Sequence, residues 1–410
     1  MKLKKSTTSL ATFVLIALFF FLPFSSWLVS ITGKPSLSLV RDVLVIFLFL
    51  LGLAAILFTR EKINNKNLIF ISSLFILWGL LTFFWKEASA LQWLRGFRFT
   101  FVPVLLLISL QLFDFSKNQR KNIYWSVFLS SLIVLTLTIL EFFKFKIPLI
   151  SEISSEGSLN TIHAVGGEFT RLQSVLAGPN ALGLYLLSIV SFLVFASAYL
   201  NKNFLWFCPL FIAALVLTFS RSSWIGLLAL FLLLIFYYLK KRFGSFAASS
   251  WFASFVFLIS LVFWFGYQSV SFNSLITHGA SSTERVEQYR RVWDQRYEIG
   301  ILGRGMGTAG PSSQNRIDGG PNHWTENIYF DMFEETGLIG LSLFLIFLVI
   351  LGYIIYNKKN IKEDRAEFSL LMSFLLAGLF INIYTGQAGL YLLILMSGLA
   401  IGEKNGKNLN

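Results

Sequence analysis

Apolar segments of about 20 residues recur from one end of the chain to the other, and each matches one crossing of a bilayer. Short polar connections separate most of them, which favours helices over strands. About twelve spans are predicted, at 9–31, 37–58, 67–84, 93–113, 123–143, 180–199, 203–219, 222–239, 246–267, 328–356, 367–383 and 387–402. The expected fold class is an all-α polytopic integral membrane protein, with residues 1–410 forming a single membrane domain.

The composition excludes a water-soluble fold. Hydrophobic residues make up 55% of the 410 positions and charged residues only 13%, whereas ordinary globular domains carry about 25% charged residues. The mean hydropathy of +0.69 agrees with this conclusion. The single cysteine, Cys208, lies within an apolar segment, which excludes a disulfide within the chain and any cysteine-based metal cluster.

The charge distribution predicts the orientation of the spans. Lys and Arg outnumber Asp and Glu by 34 to 21, for a net charge of +13. With the N-terminus inside, most of this excess falls in cytoplasmic connections, and the short connections on the other side are nearly bare. By the positive-inside rule, both termini of this multi-pass cytoplasmic-membrane protein are expected in the cytoplasm. The basic loops are expected to meet anionic lipid heads, and nucleic acid is not an expected partner.

Two longer polar segments, the loops 144–179 and 268–327, both fall on the predicted external side. The second is the large loop between predicted spans 9 and 10. Long structured connections in a compact protein are usually functional. Together the loops contain all three histidines, His163, His278 and His323, and several arginines that include Arg171 and Arg285. Any chemistry is therefore expected to face the periplasm or the cell exterior.

The large loop contains a predicted amphipathic helix over residues 283–298. Val286, Tyr289, Trp293 and Tyr297 recur at spacings of three and four, which forms one apolar stripe. At about 100° per residue, Arg285 and Arg296 fall on the same flank of that stripe. The helix fits a membrane surface. A catalytic role for its arginines and a simple lid with solvated or lipid-bound arginines are both compatible with the pattern.

The end of this loop carries candidate general bases. The segment 321–341 holds Glu326, Asp331, Glu334 and Glu335, with His323 shortly before them. The last three carboxylates fit the first turns of a helix, where the helix dipole stabilises negative charge. Glu326 and His323 precede the helix and are the better candidates for chemistry.

The glycine-rich segment 301–310 lacks the preceding strand and following helix of a dinucleotide site. We expect it to form a tight turn with little capacity to bind phosphate. No HExxH, no aspartate pair separated by one residue and no GxSxG occurs in the sequence. Neither a metal, nor another cofactor, nor a serine nucleophile is therefore expected.

Two further arginines stand where the chain turns between apolar segments. Arg221 lies in the tight turn TFSRSSWIG, and Arg171 shortly precedes Gly178, Pro179 and Asn180. A lone arginine in such a turn either extends to the lipid heads or points into a polar pocket. Elsewhere, Arg41 and Asp42 near a predicted external span end are plausible as a structural pair.

Several motifs together resemble the O-antigen ligase and O-antigen polymerase superfamily. They are the SRSSWIG turn, the R…GPN-x-L-G-x-Y-L segment from Arg171 to Leu186, and N-x-Y-x-x-x-x-x-E-x-G-L-x-G from Asn327 to Gly340. Each motif alone is weak, but their order and their common predicted side agree with the family. The resemblance covers nearly the whole chain.

The resemblance implies a metal-independent glycosyltransferase that uses an undecaprenyl-diphosphate-linked glycan as donor and a glycan or lipid-glycan acceptor. Such enzymes act in lipopolysaccharide or exopolysaccharide assembly at the cell envelope. Carried over by position, Arg221 and Arg285 are implied to hold the donor diphosphate, and Arg171 faces the same cavity. Family members commonly have His directly before the Asn of the last motif. Here Glu326 stands in that place and His323 three residues earlier, so either residue is a candidate for the base.

Two functions from other classes compete with this hypothesis. A transporter or flippase for lipid-linked glycans would typically show repeated halves and polar groups at the bilayer midplane. No convincing internal repeat is present, and the few intramembrane charges lie near span ends. A non-catalytic component of an envelope-assembly complex is the third possibility.

Overall fold

The computed structural model describes residues 2–59, 65–144, 171–197, 199–200, 202–246, 248–254, 279–314, 316–357 and 366–402. Throughout these ranges the regular structure is helical, and the one isolated β-bridge joins Ala309 to His323. The α-helices are α1 (Lys2–Phe21), α2 (Ser25–Thr32), α3 (Ser38–Thr59), α4 (Lys66–Leu81), α5 (Ala90–Gln111), α6 (Lys117–Phe142), α7 (Pro179–Ser197), α8 (Cys208–Leu217), α9 (Arg221–Phe243), α10 (Gly279–Asp294), α11 (Arg296–Ile299), α12 (Gly310–Ser313), α13 (Ile328–Asn357), α14 (Ala366–Ala377) and α15 (Gln387–Gly402). The predicted all-helical class is confirmed.

Eight helical segments in the described part of the chain are long and apolar enough to cross a membrane. They are Ser6–Thr32, Ser38–Phe58, Lys66–Phe84, Ala90–Gln111, Lys117–Phe142, Pro179–Ser197, Arg221–Phe243 and Ile328–Asn357. Each coincides with a span predicted from the sequence. The chain is therefore a multi-pass membrane protein.

The predicted number of about twelve spans is not confirmed. Three predicted spans correspond to the shorter apolar helices Lys202–Leu217, Ala366–Ala377 and Gln387–Gly402. A helix as short as α14 rises only about 18 Å, less than the roughly 30 Å hydrocarbon core. The greater part of predicted span 246–267 lies outside the described residues.

Helices α7 and α15 form the centre of the bundle. They pack against each other, and α15 also packs against α5. Close contact is possible because Gly389 faces the backbone of Leu184, where a Cβ would come within 2.7 Å of the carbonyl oxygen. The outer helices instead present large apolar side chains, such as Leu57 and Val349, outward. This distribution is the one expected of a bundle surrounded by lipid, in which small residues bring helices together.

Helix α13 contains a break that receives part of the large loop. Gly337 has φ 67° and ψ −169°, outside the helical region. The backbone amides of Leu338 and Ile339, freed by the break, donate to the carbonyl oxygens of Gly300 and Ile301 over 3.4 and 3.3 Å. A Cβ on Gly337 would lie 2.2 Å from the oxygen of Ile301. The break therefore attaches the loop to the helix and requires glycine.

Gly337→Ala should destabilise the protein, because alanine is strained at this φ and its methyl group meets backbone atoms. We expect a loss of about 1–3 kcal/mol in the free energy of unfolding. Gly352→Ala is the matched control, since this glycine in the same helix has only ordinary contacts at 3.6 Å and beyond. Thermal unfolding in detergent, followed by tryptophan fluorescence, compares the two variants. Equal midpoints would contradict the strain assigned to Gly337.

Candidate functional site

Arg285 and Glu326, two residues predicted for the site, contact each other directly. Nε and Nη2 of Arg285 both reach Oε2 of Glu326. Arg285 lies in α10, and Glu326 ends the loop shortly before α13 begins. The backbone amide of Glu326 donates to Oε1 of Gln288 over 3.3 Å, and Gln288 lies one turn after Arg285 in α10.

Arg171 joins the same group from another part of the chain. Its Nε donates to the carbonyl oxygen of Thr218 over 2.9 Å, and its Nη2 donates to Oδ1 of Asn180 over 3.0 Å. Burial lowers the pKa of Arg171, and the positive charges of Arg221 and Arg285 lower it further, whereas Glu326 opposes them. The three predicted arginines are thus close enough to repel one another around one carboxylate.

Arg221 is the first residue of α9 and follows a strained turn. Phe219, two residues earlier, has φ 50°, a conformation that is uncommon for residues other than glycine. Such strain persists only where the surrounding structure enforces it, and it is typical of functional sites. The electrostatic neighbours of Arg221 include Arg285 and Glu326. The SRSSWIG turn therefore brings its arginine to the predicted group, as the sequence motif implied.

A half-buried carboxylate fixes the segment that carries Arg171. Glu141, near the end of α6, accepts hydrogen bonds from the backbone amides of Gln173 and Ser174, the latter over 2.8 Å. Ser174 has φ 53°, so the chain turns sharply here before α7 begins at Pro179. Glu141 is thus a positioning residue for Arg171.

Two cavities meet at Glu326. The larger has a volume of about 1160 Å³ and is lined by Arg171, Asn180 and Glu326, among others. The smaller, of about 530 Å³, is lined by Arg285 and Glu326. Trp324 and Gln314 are the other residues that line both. Glu326 thus stands between two compartments, each with an arginine beside it.

Several helices around the larger cavity present their N-terminal ends to it. Lining residues come from the first turns of α3, α5, α7 and α15, and Glu326 lies two residues before α13. In a bundle of antiparallel neighbours, alternate spans begin at the same end. Helix N-termini carry unpaired amides and a partial positive charge, which favours anions. The site thus concentrates positive potential from backbone and side chains at one end of the bundle.

His323 occupies a different environment from Glu326. Its Nδ1 contacts Oε1 of the buried Glu334, and Nη1 of Arg304 lies 3.0 Å from the same nitrogen. Arg291 donates to the carbonyl oxygen of His323 over 3.1 Å and to Oε2 of Glu334 over 3.2 Å. Neither of the two cavities is lined by His323. Of the two base candidates, only Glu326 faces the cavities. His163 and His278 lie outside the described residues.

The three carboxylates assigned to helix N-terminal electrostatics have specific partners. Asp331 accepts hydrogen bonds from the amide and hydroxyl of Thr325 over 3.1 and 2.6 Å, and also contacts Asn382. Glu335 accepts from the amide of Gly307 over 2.8 Å. Glu334 belongs to the arginine network around His323. All three are buried and tie the loop to α13, a function beyond stabilisation by the dipole.

The glycine-rich segment is a packing element, as its low phosphate-binding potential suggested. The amide of Gly305 donates to the carbonyl oxygen of Glu335 over 2.9 Å, and that of Gly303 to Ile299 over 3.1 Å. Gly303, Gly305 and Gly307 have φ between 75° and 92°. A Cβ on Gly307 would lie 2.3 Å from the oxygen of Gln92 in α5. The segment uses its amides within the protein and packs against neighbouring backbone.

The amphipathic helix differs from the prediction at its end. Helix α10 stops at Asp294, and Arg296 begins the separate helix α11, so the predicted helix 283–298 is interrupted at Gln295. The guanidinium of Arg296 instead stacks over the rings of Trp293 and Tyr297 at 4.9 and 4.3 Å. Three residues of the predicted stripe, Val286, Trp293 and Tyr297, are exposed. The fourth, Tyr289, packs against the ring of Phe330. The three outward residues agree with a helix at a membrane surface.

Sequence reasoning did not single out Arg304, Arg291 or Gln314 as parts of the site. Arg304 is 9% exposed and contacts Glu334, with Nη1 to Oε1 at 3.3 Å. A buried charge such as that of Arg304 usually requires a partner. In the sequence, the one feature that set Arg304 apart was its position in the glycine-rich segment. Gln314 follows α12 and lines both cavities, and no pattern in the sequence pointed to it.

Comparison with known protein families identifies the segment that carries most of this site. Residues 206–345 match the family model described as O-antigen ligase. The resemblance to the O-antigen ligase and O-antigen polymerase superfamily is confirmed. The matched O-antigen ligase segment includes Arg221, Arg285, His323 and Glu326, whereas Arg171 precedes it. A search of curated proteins finds no match to the chain.

Glu334→Gln should destabilise the protein strongly, because it removes the buried negative charge that faces Arg291 and Arg304. Breaking a buried ion pair costs about 3–5 kcal/mol. Glu298→Gln is the matched control, since Glu298 also pairs with Arg304, at 3.4 Å, but is 72% exposed. The control should change the free energy of unfolding by less than about 1 kcal/mol. Denaturant unfolding in detergent gives both values, and similar losses would show that burial of Glu334 is not decisive.

Proposed function

We propose that this protein transfers or polymerises a glycan from an undecaprenyl-diphosphate-linked donor onto a sugar hydroxyl, without a metal, at the outer face of the cytoplasmic membrane. One observation carries the proposal. Arg285 contacts Glu326, which lines both cavities, and Arg171 and Arg221 lie close enough to Glu326 to interact with it electrostatically. Most of this group falls in the segment that matches the O-antigen ligase family.

The chemistry requires stabilisation of a leaving diphosphate. The acceptor oxygen forms a bond to the anomeric carbon of the donor sugar, and the bond from that carbon to the diphosphate oxygen breaks. Negative charge grows on the leaving lipid diphosphate, and fixed positive groups in a site shielded from water stabilise it. Guanidinium groups suit this task because they stay charged and offer paired donors to phosphate oxygens.

Glu326 is placed to accept the proton of the acceptor hydroxyl. A general base must lie within hydrogen-bond reach of that proton. Arg285 contacts Oε2 of Glu326, and the Glu326 side chain lines both cavities. A diphosphate entering the site would compete with Glu326 for Arg285, and its binding would therefore release the carboxylate for proton transfer. We expect inversion at the anomeric carbon, since attack and departure occur in one displacement.

Several observations support this scheme over a transporter. Proton abstraction needs a base at a point where two substrates meet, and Glu326 lines both cavities. Transport of one lipid-linked glycan has no such requirement. Within the described residues no group of three or more His, Cys, Asp or Glu is arranged to hold a metal ion. The arginines are the groups available to neutralise the leaving charge.

Arg221→Ala and Arg285→Ala should each reduce glycan transfer by about 10²–10³-fold, the usual cost of losing one group that stabilises transition-state charge. Transfer is measured with the purified protein, a lipid-diphosphate-linked oligosaccharide donor and an oligosaccharide acceptor, in buffer containing EDTA. Arg290→Ala is the control, because Arg290 is exposed on α10 and lines neither cavity. Activity like that of the wild type in either site variant would remove that arginine from the mechanism. A strict need for divalent ions would contradict the arginine scheme.

Glu326→Gln should lower kcat by about 10²–10⁴-fold, the usual contribution of a general base, with little change in KM for the acceptor. His323→Ala should act mainly through stability, because His323 is held by Glu334 away from the cavities. Both variants are compared in the same transfer assay, alongside their thermal unfolding midpoints. If His323→Ala lowers kcat more than Glu326→Gln at an unchanged midpoint, the imidazole is the base.

A further inference from the structure

A second basic cluster lines the larger cavity away from the donor group. Arg41 of α3 and Arg95 and Arg98 of α5 all face this cavity. The electrostatic neighbours of Arg98 are Arg41, Arg95, Asp42 and Tyr391. Those of Arg171 are Arg221, Arg285 and Glu326. The second cluster is thus separate from the donor group, of which only Arg171 lines this cavity, and it lies outside the segment matched by the O-antigen ligase family.

The second cluster is a built site held from behind by one carboxylate. Asp42 contacts Arg41 through Oδ1 at 2.8 Å and Arg98 through Oδ2 at 2.9 Å. Asp42 is buried and does not line the cavity, whereas both arginines do. The guanidinium of Arg41 also lies 5.2 Å from the ring centre of Tyr391. These contacts fix the guanidinium groups and leave them with an excess of positive charge toward the cavity.

Uncharged polar groups at the same place fit a saccharide. Ser25, Ser26, Ser30, Ser36 and Ser38 line this end of the cavity. Ser38 accepts a hydrogen bond from Nη2 of Arg98 over 2.9 Å, so hydroxyl and guanidinium lie side by side. Gln387 contacts Arg41 through Oε1, and its buried Nε2 has no hydrogen-bond partner among the described residues. An unsatisfied buried donor beside arginines calls for an acceptor oxygen from a ligand.

We propose that this cluster binds an acidic group, a carboxylate or phosphate, carried by the sugar acceptor. The inference rests on the proposed function, because that function places the reacting acceptor hydroxyl at Glu326. One continuous cavity leads from Glu326 to the second cluster. An acceptor oligosaccharide along this cavity would present its reactive end to the base and an acidic sugar to Arg41, Arg95 and Arg98. The cluster therefore selects anionic over neutral acceptors.

The test measures binding of fluorescently labelled trigalacturonate and of the matched neutral trigalactose to the full-length protein in phosphatidylcholine nanodiscs. Trigalacturonate should bind at least about tenfold more tightly, since charge-assisted hydrogen bonds to guanidinium are strong. Arg95→Gln should weaken its binding by about tenfold, equivalent to about 1.4 kcal/mol, and Arg95→Lys should restore part of it. Arg95 is chosen because it lines the cavity, whereas Arg41 and Arg98 also hold the buried Asp42, so changing either of them would act on folding as well.

Arg290→Gln is the control for a change of net charge and should leave binding unchanged. Equal affinity for the acidic and neutral probes, or equal effects of Arg95→Gln and Arg290→Gln, would overturn the inference. A second arm replaces phosphatidylcholine by phosphatidylglycerol. Loss of trigalacturonate binding in these nanodiscs would assign the cluster to lipid head groups and would equally overturn it. In each of these cases the proposed function would still hold, provided that glycan transfer depends on Arg285.

Discussion

The accumulation of positive charge at one end of an apolar helical bundle is the constraint on which the rest of the structure depends. Guanidinium groups repel one another, and a low-dielectric environment strengthens that repulsion. The protein balances each cluster with one carboxylate, Glu326 for the donor group and Asp42 for the second cluster. Helix N-termini around the larger cavity add further positive potential. An anionic ligand would therefore relieve a repulsion that the fold itself creates.

Much of the architecture that supports this charge is built from the large loop and α13. Buried carboxylates of α13 hold the loop through Arg304, Thr325 and the amide of Gly307. The break at Gly337 adds backbone hydrogen bonds to the same loop. Because the loop is tied at many points, Glu326 at its end has a defined position beside Arg285. Precise placement of this kind is what general-base catalysis needs.

The long spans and the arginines of the site could be predicted from the sequence, and some local geometry could not. Hydropathy over a window finds a span, but it is insensitive to the φ of one residue, so the break at Gly337 within an apolar segment was missed. The end of α10 at Asp294 was also missed. The three-to-four spacing of apolar residues continues past Gln295, whereas the helix is interrupted at that residue. The sequence left His323 as a candidate base. Its contact with Glu334 forms only when the loop folds, so the sequence pattern could not show it. By contrast, the positions of Arg171, Arg221 and Arg285 in the sequence motifs were enough to predict that these arginines lie in one group.

Among the described residues, the two compartments share three lining side chains, Gln314, Trp324 and Glu326. If donor and acceptor occupied these adjoining chambers together, as the proposed function requires, transfer would follow a sequential kinetic scheme through a ternary complex. No glycan would then have to be held covalently on the protein between two half-reactions.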